Sequence, residues 1–410
     1  MEAARATAQA KESRRRWVMI GLVFSATVIN YLDRQTLSVV APFLRDQFAM
    51  NDVAYARVVS VFMLAYTLSN GLSGPIIDRL GTKLGYSICM AWWSAAAMLH
   101  ALARSTLGLG ICRFLLGIGE AGNWPAGVKV AAEWFPESER ALASGIFNSG
   151  SSIGAVLAPP IVAWIVLSFG WPSSFLAVGL TGFVWLVIWR LVYETPGGAR
   201  SQIAPRPLPA WRLLRTSFVW RFTLSKVFSD PAWYFYIFWF PQYLKSVRHF
   251  DLAAVGRYAW IPFLTADLGN LLGGWMSGAL LKHGVPAAKA RKISVSVFSL
   301  LAMSSIPAVL VADVRVSIAC VCLATLSYTG ALANTLSLPA DVFPSNNVGS
   351  IWGLASMGAG FGGMVFSLVT GWAVEQFSYV PVFFGFGMLP LVAAAIIWTL
   401  PDRVAFSDKL

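Results

Sequence analysis

The sequence predicts an all-α membrane protein with twelve transmembrane helices, and two observations carry this prediction. Of the 410 residues, 57% are hydrophobic and 12% are charged, with a mean hydropathy of +0.64, whereas soluble proteins carry about 25% charged residues. Apolar stretches of about 20 residues, the length of an α-helix that crosses a bilayer, recur along the whole chain. These stretches are continuously apolar rather than alternating, which argues against a β-barrel.

The apolar stretches fall into two sets of six. The longest polar interruption, "YETPGGARSQIAPRPLPAWRLLRTS", is rich in Pro, Gly and Arg, as linkers are. We therefore predict two pseudo-symmetric six-helix bundles, residues 1–193 and 216–410, joined by a cytoplasmic linker at residues 194–215. The predicted spans are residues 17–40, 53–76, 84–103, 106–131, 142–166, 171–193, 216–246, 254–281, 293–312, 314–341, 347–374 and 379–400.

The two halves also resemble each other weakly. The segment "GIFNSGSSIGA" of the first half has a Gly-rich counterpart, "GLASMGAGFGG", in the second. Two similar six-helix halves are what a secondary transporter needs when one bundle moves against the other. The sequence contains no Walker or HExxH motif, so we expect no enzyme, no metal and no cofactor. The histidines His100 and His283 lie near span ends, where we expect them to meet water.

The net charge of +12 is concentrated on one side of the predicted membrane. Most Lys and Arg lie in the N-terminus, in the loops after the second, fourth, sixth and eighth spans, and in the C-terminus. This bias places both termini in the cytoplasm. Anionic lipid headgroups account for the basic loops, so we expect contact with membrane lipid and not with nucleic acid.

Charged residues inside the first and fourth spans are the main functional candidates, because a buried charge in a membrane is costly. Asp33 and Arg34 interrupt the apolar run "VINYLDRQTLSVV". Arg113 and Glu120 are seven residues apart, so they lie on one helical face. A glutamate in apolar surroundings holds a proton readily, which makes Glu120 a candidate for proton coupling. The alternative is a static ion pair with Arg113 or Arg34. Asp33 is a second candidate proton acceptor, and its alternative is a structural pair with an arginine.

The seventh span carries a second polar group. Lys226 and Asp230 are one turn apart, directly before Pro231, which we expect to interrupt the helix. The rings of Trp233 and Tyr236 suit a sugar, because aromatic faces cover C–H surface and hydroxyls bond its OH groups. Each uncharged polar candidate can equally be an interhelical contact. These candidates are Tyr31, Tyr66, Asn334 and Ser356. Asn123, a further candidate, continues the helical face of Glu120 three residues on.

Three cations at mid-membrane depth, Arg34, Arg113 and Lys226, predict a small anionic substrate. The guanidinium fork of an arginine fits a carboxylate. Uptake of a monoanion together with one proton moves no net charge against an inside-negative potential, which otherwise acts at about 2.3 kcal/mol per charge per 100 mV. The residues therefore favour symport of an organic anion with a proton.

The motif "GPIIDRLGTKLG" resembles the loop signature between the second and third helices of the major facilitator superfamily. The resemblance implies the major facilitator fold. It also implies a cytoplasmic gating network of Asp78, Arg79 and Lys83, with Gly74 and Gly81 shaping the turn. The second half has Gly278 where the repeated signature would have an acid.

Three longer stretches resemble the anion:cation symporter branch of that superfamily, and within it the bacterial hexuronate transporters. They are "NYLDRQTLSVVAP", "GEAGNWPAGVKVAAEWFPESERALASGIFNSGSSIGA" and "DPAWYFYIFWFPQYL". By this resemblance Arg34 binds the substrate carboxylate, Asp33 and Glu120 take up protons, Arg113 balances Glu120, and Tyr66 lines the pocket. In the related aldonate carriers a glutamine occupies the position of Lys226, and this departure favours a uronate.

The combined interpretation is a proton-coupled symporter that imports a hexuronate, such as glucuronate or galacturonate, by alternating access. We expect a monomeric, multi-pass protein of the bacterial inner membrane. Two alternatives remain open. One is the same fold carrying another organic anion, such as an aldonate, a dicarboxylate or an aromatic acid. The other is a transport-inactive membrane sensor of such acids.

Overall fold

The computed structural model describes residues 2–50, 52–195, 208–250, 258 and 260–402. Most of the predicted linker, residues 196–207, lies outside the described residues. So does the beginning of the predicted eighth span, at residues 254–257 and 259.

Helices dominate the described residues, and no strand occurs among them. The first half contains α1 (Glu2–Gln47), α2 (Asp52–Leu80), α3 (Thr82–Leu99), α4 (Thr106–Glu120), α5 (Asn123–Trp134), α6 (Glu137–Phe169) and α7 (Trp171–Val192). The second half contains α8 (Ala210–Leu213), α9 (Ser217–Ser229), α10 (Pro231–Phe238), α11 (Phe240–Ser246), α12 (Ile261–Lys282), α13 (Ala287–Leu301), α14 (Ser305–Leu310), α15 (Val314–Val342), α16 (Ser345–Gln376) and α17 (Tyr379–Trp398). Each of the twelve predicted spans coincides with one of these helices or with consecutive helices.

Six helical stretches of the described chain are long and apolar enough to cross a membrane. They are α6, α7, the stretch Ala287–Leu310 that joins α13 and α14, α15, α16 and α17. Among the other predicted spans, the first carries Asp33 and Arg34 within α1, and the fourth and seventh are divided into shorter helices. Charges and interruptions of this kind are tolerated in membrane helices where they line a cavity or contact protein.

The interruption of the seventh span is the predicted one. Helix α9 ends at Ser229 and α10 begins with Pro231, because proline supplies no N–H for the helical ladder. The fourth span, predicted over residues 106–131, is also divided, and this interruption was not foreseen from the sequence. Ala121 and Gly122 separate α4 from α5. A Cβ on Gly122 would overlap the thiol of Cys89 on α3, so α3 lies close to the chain at this interruption.

The chain forms two compact units. The first consists of Met1–Phe135, Ile146–Leu208 and Pro344–Gly353, and the second of Pro136–Gly145, Pro209–Phe343 and Leu354–Leu410. The division into bundles at residues 1–193 and 216–410 remains a prediction.

Each unit has its own hydrophobic core. In the first unit, Leu37 and Leu44 of α1 pack in one apolar cluster with Leu109 of α4. In the second unit the core is aromatic, and Phe235 of α10 packs on Phe383 and Phe386 of α17, with ring centroids 5.0 Å and 4.7 Å away.

One histidine differs from expectation. His283 is exposed, as predicted. His100 is completely buried, so the prediction that it meets water was wrong. Its ring stacks on Phe175 of α7 at 4.7 Å, and its Nδ1 is 2.8 Å from the carbonyl oxygen of Ala96. The packing of α7 over the end of α3 covers this side chain.

Candidate functional site

Four charged side chains form a buried group in the first unit. Asp33 and Arg34 come from α1, and Arg113 and Glu120 come from α4. Asp33 and Arg113 are each 2% exposed and Glu120 is fully buried, while the side chain of Arg34 is 21% exposed. Two carboxylates and two guanidiniums therefore share a region with little access to bulk water, and we call them the charged cluster.

The Arg34 guanidinium is held by one carboxylate and three rings. Its Nε donates a hydrogen bond of 2.8 Å to Oε2 of Glu120. Its central carbon lies 4.4 Å from the ring centroid of Tyr66, 5.1 Å from that of Tyr31 and 5.4 Å from that of Phe62. A cation over aromatic faces is attracted by the ring quadrupoles. The arginine is thus fixed in direction before any ligand binds.

Small residues bring these helices together. Gly117 of α4 lies against the backbone of α2, and a Cβ at this position would be 2.7 Å from the carbonyl oxygen of Phe62 and 3.0 Å from the amide nitrogen of Tyr66. Gly154 of α6 meets α1 in the same way, with a Cβ 2.7 Å from that of Tyr31. Such positions allow close helix approach in membranes, and here they bring the two tyrosines up to Arg34.

Several polar atoms of the charged cluster are buried without a hydrogen-bond partner. They are Oδ2 of Asp33, Nη2 of Arg34, Nε and Nη2 of Arg113, and Oε1 of Glu120. A buried polar atom left unpaired costs roughly 1–3 kcal/mol, and a charged one more. Arg34 uses one oxygen of Glu120 and leaves the other unpartnered. The unused atoms are therefore available to a proton, to water or to a ligand.

Arg113 lies near both carboxylates of the charged cluster. Among the described residues it makes no direct hydrogen bond to either of them. Its charge interacts with those of Glu120 and Asp33, and its guanidinium lies 5.6 Å from the ring centroid of Phe62. The direct partner of Glu120 is Arg34, from another helix. The predicted charge-balancing role of Arg113 stays a prediction, at longer range than a salt bridge.

Asn123, a predicted substrate contact, is fully occupied by the protein. Its Nδ2 donates to the hydroxyl of Thr27 at 3.2 Å, and its Oδ1 accepts from the hydroxyl of Tyr86 at 2.5 Å. Both partners come from other helices, so Asn123 links α5 to α1 and α3. Its role toward a substrate is untested.

The second unit holds a smaller polar group at the α9–α10 interruption. Nζ of Lys226 lies 2.7 Å from Oδ2 and 3.0 Å from Oδ1 of Asp230. The hydroxyl of Ser229 donates to Oδ1 of Asp230 at 2.8 Å. Lys226 is 2% exposed. Asp230 was not among the predicted site residues, although its spacing of one turn from Lys226 was visible in the sequence.

The remaining predicted contacts of the second unit differ in their surroundings. Trp233 stacks on Tyr328 with centroids 5.4 Å apart, and Tyr236 belongs to the aromatic core. Nδ2 of Asn334 donates to the carbonyl oxygens of Gly273 and Gly330, and its Oδ1 is buried without a partner. Ser356 is half-buried. Their substrate-binding roles stay predictions.

The predicted gating residues lie at the junction of α2 and α3. Asp78 accepts hydrogen bonds from Nζ of Lys129 at 2.9 Å and from the backbone N–H of Ser350 at 2.6 Å. Burial raises the pKa of the Asp78 carboxyl, and the Lys129 charge opposes this shift. A Cβ on Gly74 would overlap the backbone of Gly349, so the backbones of α2 and α16 touch at these two glycines.

The other predicted gating residues contribute less to this contact. Gly81 has φ of 81°, a left-handed conformation that favours glycine. Arg79 is exposed and Lys83 is half-buried. Lys129 was missed in the sequence, although a lysine inside the apolar segment "AGVKVAAEW" was a usable signal.

The second unit has a buried acid that two arginines share. Asp341, at the end of α15, accepts from Nη1 of Arg140 at 3.0 Å and from Nε of Arg291 at 3.0 Å. Gly278 approaches the carbonyl oxygen of Ser138.

Comparison with known proteins places the chain in a family. The model of the Major Facilitator Superfamily matches residues 23–351. A hexuronate transporter of Escherichia coli K12 is 31% identical over 404 residues, which is 94% of both chains. A galacturonate transporter of Dickeya chrysanthemi is 34% identical over 330 residues, 76% of this chain and 96% of the relative.

Solved structures agree at the level of the fold. A major facilitator proton:xylose symporter, with 6-bromo-6-deoxy-D-glucose bound, superimposes with a TM-score of 0.74 at 14% identity, over 95% of this chain and 97% of that one. The predicted fold class and the predicted resemblance to hexuronate transporters are confirmed. The family consists of membrane transporters and not of enzymes. This chain therefore belongs to the major facilitator superfamily.

Proposed function

We propose that this transporter imports a hexuronate, such as glucuronate or galacturonate, together with a proton by alternating access. The observation that carries the proposal is the buried Arg34–Glu120 pair, in which each partner keeps one unused polar atom. Relatives named for hexuronate and galacturonate transport, at 31–34% identity, support this class of cargo.

The pair couples an anion to a proton through competition for one guanidinium. The substrate carboxylate binds the Arg34 fork and takes the place of Glu120. Glu120 is fully buried, and a buried carboxylate that loses its partner is costly to keep ionised. Glu120 therefore takes up a proton when the anion arrives and releases it when the anion leaves.

The other charges of the cluster adjust this exchange. Asp33 is a second proton acceptor, since its Oδ2 is buried and unpartnered and its charge interacts with that of Glu120. Arg113 offsets the two carboxylates while they are ionised. Tyr31 and Tyr66 hold the guanidinium and offer hydroxyls to the sugar.

Further proposed contacts and gates follow the family resemblance. In the second unit we propose Lys226, Trp233, Tyr236, Asn334 and Ser356 as substrate contacts, and in the first unit Asn123. At the cytoplasmic end we propose Gly74, Asp78, Arg79, Gly81 and Lys83 as the gating segment. We further propose a monomer in the bacterial inner membrane with both termini in the cytoplasm.

Counterflow in proteoliposomes tests the proposal. We expect exchange of glucuronate or galacturonate, weaker exchange of galactonate and none of tartrate, with accumulation when the outside is more acidic. Changing Glu120 to Gln abolishes proton-driven accumulation but keeps counterflow, because glutamine binds no proton yet leaves Arg34 in place.

Glu133→Gln is the matched control. Glu133 is a glutamate of the same unit that accepts from Thr82 and Tyr193 instead of an arginine, so accumulation should persist in this variant. Proton-driven accumulation at the wild-type level in Glu120→Gln, or exchange of none of the four acids, would overturn the proposed function.

A further inference from the structure

The segment that leads into the seventh predicted span carries an unbalanced positive charge. Residues 195–229 contain six basic side chains and no acidic one. Four of the six, all arginines, lie at residues 200–215, directly before the span. Clusters of roughly four to eight Lys or Arg next to a membrane helix attract anionic lipid headgroups. Any anion that balances this charge comes from outside the segment.

Two of these arginines share one aromatic ring. The guanidinium carbon of Arg212 lies 5.2 Å from the ring centroid of Trp211, and that of Arg215 lies 5.0 Å from it. All three side chains are exposed, Trp211 by 53%. The ring attracts both cations and holds them within about 10 Å of each other. We call these three residues the Trp211 platform.

A compact turn fixes the Trp211 platform on the second unit. Leu213, which lies between the two arginines, is fully buried. Its carbonyl oxygen accepts from the backbone N–H of Thr216 at 2.9 Å and from the hydroxyl of the same residue at 2.7 Å. The N–H of Arg215 donates to the carbonyl oxygen of Arg212 at 3.0 Å. The two guanidiniums therefore belong to an ordered, hydrogen-bonded turn.

The two arginines of the platform have no acidic partner. Within the part of the chain that the structure describes, no carboxylate forms an ion pair with Arg212 or Arg215. Arg221, the next arginine along the chain, differs from them, because its Nη1 donates to the carbonyl oxygen of Thr399 at 2.7 Å. The N–H donors of the platform are therefore open to a ligand.

The charged cluster of the first unit shows how two arginines over one ring are balanced inside the protein. Arg34 and Arg113 lie 5.4 Å and 5.6 Å from the ring centroid of Phe62, and the two carboxylates of the cluster offset their charges. The Trp211 platform repeats the two guanidiniums and the ring without a carboxylate from the described residues. An external anion can take the place that the carboxylates hold in the cluster.

Apolar side chains are exposed on α9, which follows the platform in the chain. Trp220 and Leu224 are 59% and 46% exposed, and their spacing of four residues places them on one face of the helix. Trp211 precedes the predicted span, and tryptophan is enriched at the interface between membrane and water. A ligand with a negatively charged head and apolar tails matches this order of groups.

We propose that the Trp211 platform binds the phosphate of an anionic phospholipid, such as phosphatidylglycerol, whose acyl chains lie along the exposed face of α9. Arg212 and Arg215 donate charge-assisted hydrogen bonds to the phosphate oxygens. The bound lipid holds the beginning of α9, the helix that carries Lys226, at the membrane surface. The site is separate from the proposed transport site, and its occupation requires no transport.

Lipid titration of the detergent-purified full chain, followed by native mass spectrometry, tests the site. The probes are dioctanoyl phosphatidylglycerol and dioctanoyl phosphatidylcholine, and we expect the wild type to bind the anionic lipid more tightly. In Arg212→Gln/Arg215→Gln the affinity for phosphatidylglycerol should fall by roughly 30-fold, which corresponds to about 1 kcal/mol for each arginine. The affinity for phosphatidylcholine should change much less, because its headgroup carries no net charge.

Arg190→Gln/Lys282→Gln is the matched control. Arg190 lies in the last turn of α7 and Lys282 in the last turn of α12, and both are exposed cations at predicted cytoplasmic ends of spans. Neither of them lies over an aromatic ring of the described residues. The control loses the same net charge as Arg212→Gln/Arg215→Gln, so its affinity for phosphatidylglycerol should stay close to that of the wild type.

Two further measurements separate a lipid site from other sites. Trp211→Ala keeps both charges but removes the ring, and its affinity for phosphatidylglycerol should fall by roughly fivefold, as expected for the loss of two exposed cation–π contacts. An excess of inorganic phosphate should leave the lipid bound, because phosphate has no acyl chains to contact α9.

Three results would overturn the lipid site. They are wild-type affinity for phosphatidylglycerol in Arg212→Gln/Arg215→Gln, an equal loss of affinity in the control variant, and displacement of the lipid by inorganic phosphate. Should the double glutamine variant fail to fold, wild-type affinity in Trp211→Ala overturns the site instead. None of these results bears on the proposed function, since Arg34 and Glu120 are unchanged in every variant.

Discussion

At the scale of single residues, the chemistry of the first unit depends on the shape of one side chain. Arg34 presents a planar fork that can bind a carboxylate with two parallel hydrogen bonds while its face rests on aromatic rings. The ring of Tyr66 lies 4.4 Å from its central carbon. A lysine keeps the charge but loses the fork and the stacked plane.

Arg34→Lys should therefore weaken binding of glucuronate by roughly 10- to 100-fold, because about 1.5–3 kcal/mol of charge-assisted hydrogen bonding is lost. Calorimetric titration at a fixed pH measures this. Arg45→Lys is a suitable control, since Arg45 belongs to the same helix and also lies over a tyrosine ring, at 4.7 Å from Tyr55. An affinity of Arg34→Lys within twofold of the wild type would remove Arg34 from the binding site.

The sequence made these residues visible but not their pairing. Asp33, Arg34, Arg113 and Glu120 stand out because charges in apolar runs are rare. Helical spacing relates Glu120 to Arg113 on its own helix. The hydrogen bond in the structure goes instead to Arg34, 86 positions away in sequence. Only the tertiary arrangement, which brings the side chains of α1 and α4 together, decides that choice, and local spacing in a single sequence does not reveal it.

At the scale of helices, interruptions were predictable where the cause is covalent and not where it is tertiary. Pro231 ends a helix by lacking an N–H, so the start of α10 was foreseen. At the break, Gly122 lies against Cys89 on another helix, a contact that only the tertiary structure shows. Glycine is common in continuous membrane helices, and so its presence alone gave no signal.

A buried ion pair between Asp78 of α2 and Lys129 of α5 should contribute to the stability of the protein. Lys129 is 3% exposed and donates to Asp78 and to the carbonyl oxygen of Ile77. Removal of one partner from a buried ion pair leaves an uncompensated charge and costs about 3–5 kcal/mol. Lys129→Met should therefore lower the melting temperature of the detergent-purified protein at pH 8, and the double variant Lys129→Met/Asp78→Asn should recover most of the loss.

The pH dependence of this effect has a definite sign. Burial already raises the pKa of Asp78, and Lys129 opposes that shift, so its removal raises the pKa further. The penalty is absent below the ordinary pKa of a carboxyl, grows as the pH rises from that value to the raised one, and stays constant above it. At pH 4.5 the melting temperature of Lys129→Met should therefore approach that of the wild type. An equal deficit at pH 4.5 and pH 8 would show that Lys129 acts by packing alone.

At the scale of the whole molecule, the distribution of charge is more informative than its sum. The net charge of +12 could suggest a nucleic-acid partner, but the basic residues lie at segment ends and not along one face of a soluble domain. Lys and Arg near span ends are retained on the cytoplasmic side during insertion. With an even number of spans, the basic N-terminus and the C-terminus must lie on the same side.

Reporter fusions test this orientation. Alkaline phosphatase is active only outside the cytoplasm, and green fluorescent protein folds to its fluorescent form inside it. We expect phosphatase activity from a fusion after Phe250, which follows the seventh span, and none from a fusion after Glu194, which follows the sixth. Fluorescence is expected from a fusion after Leu410. The opposite pattern would place the proposed gating segment around Asp78 outside the cell. The acid-driven direction of uptake proposed for Glu120 would then have to be reversed as well.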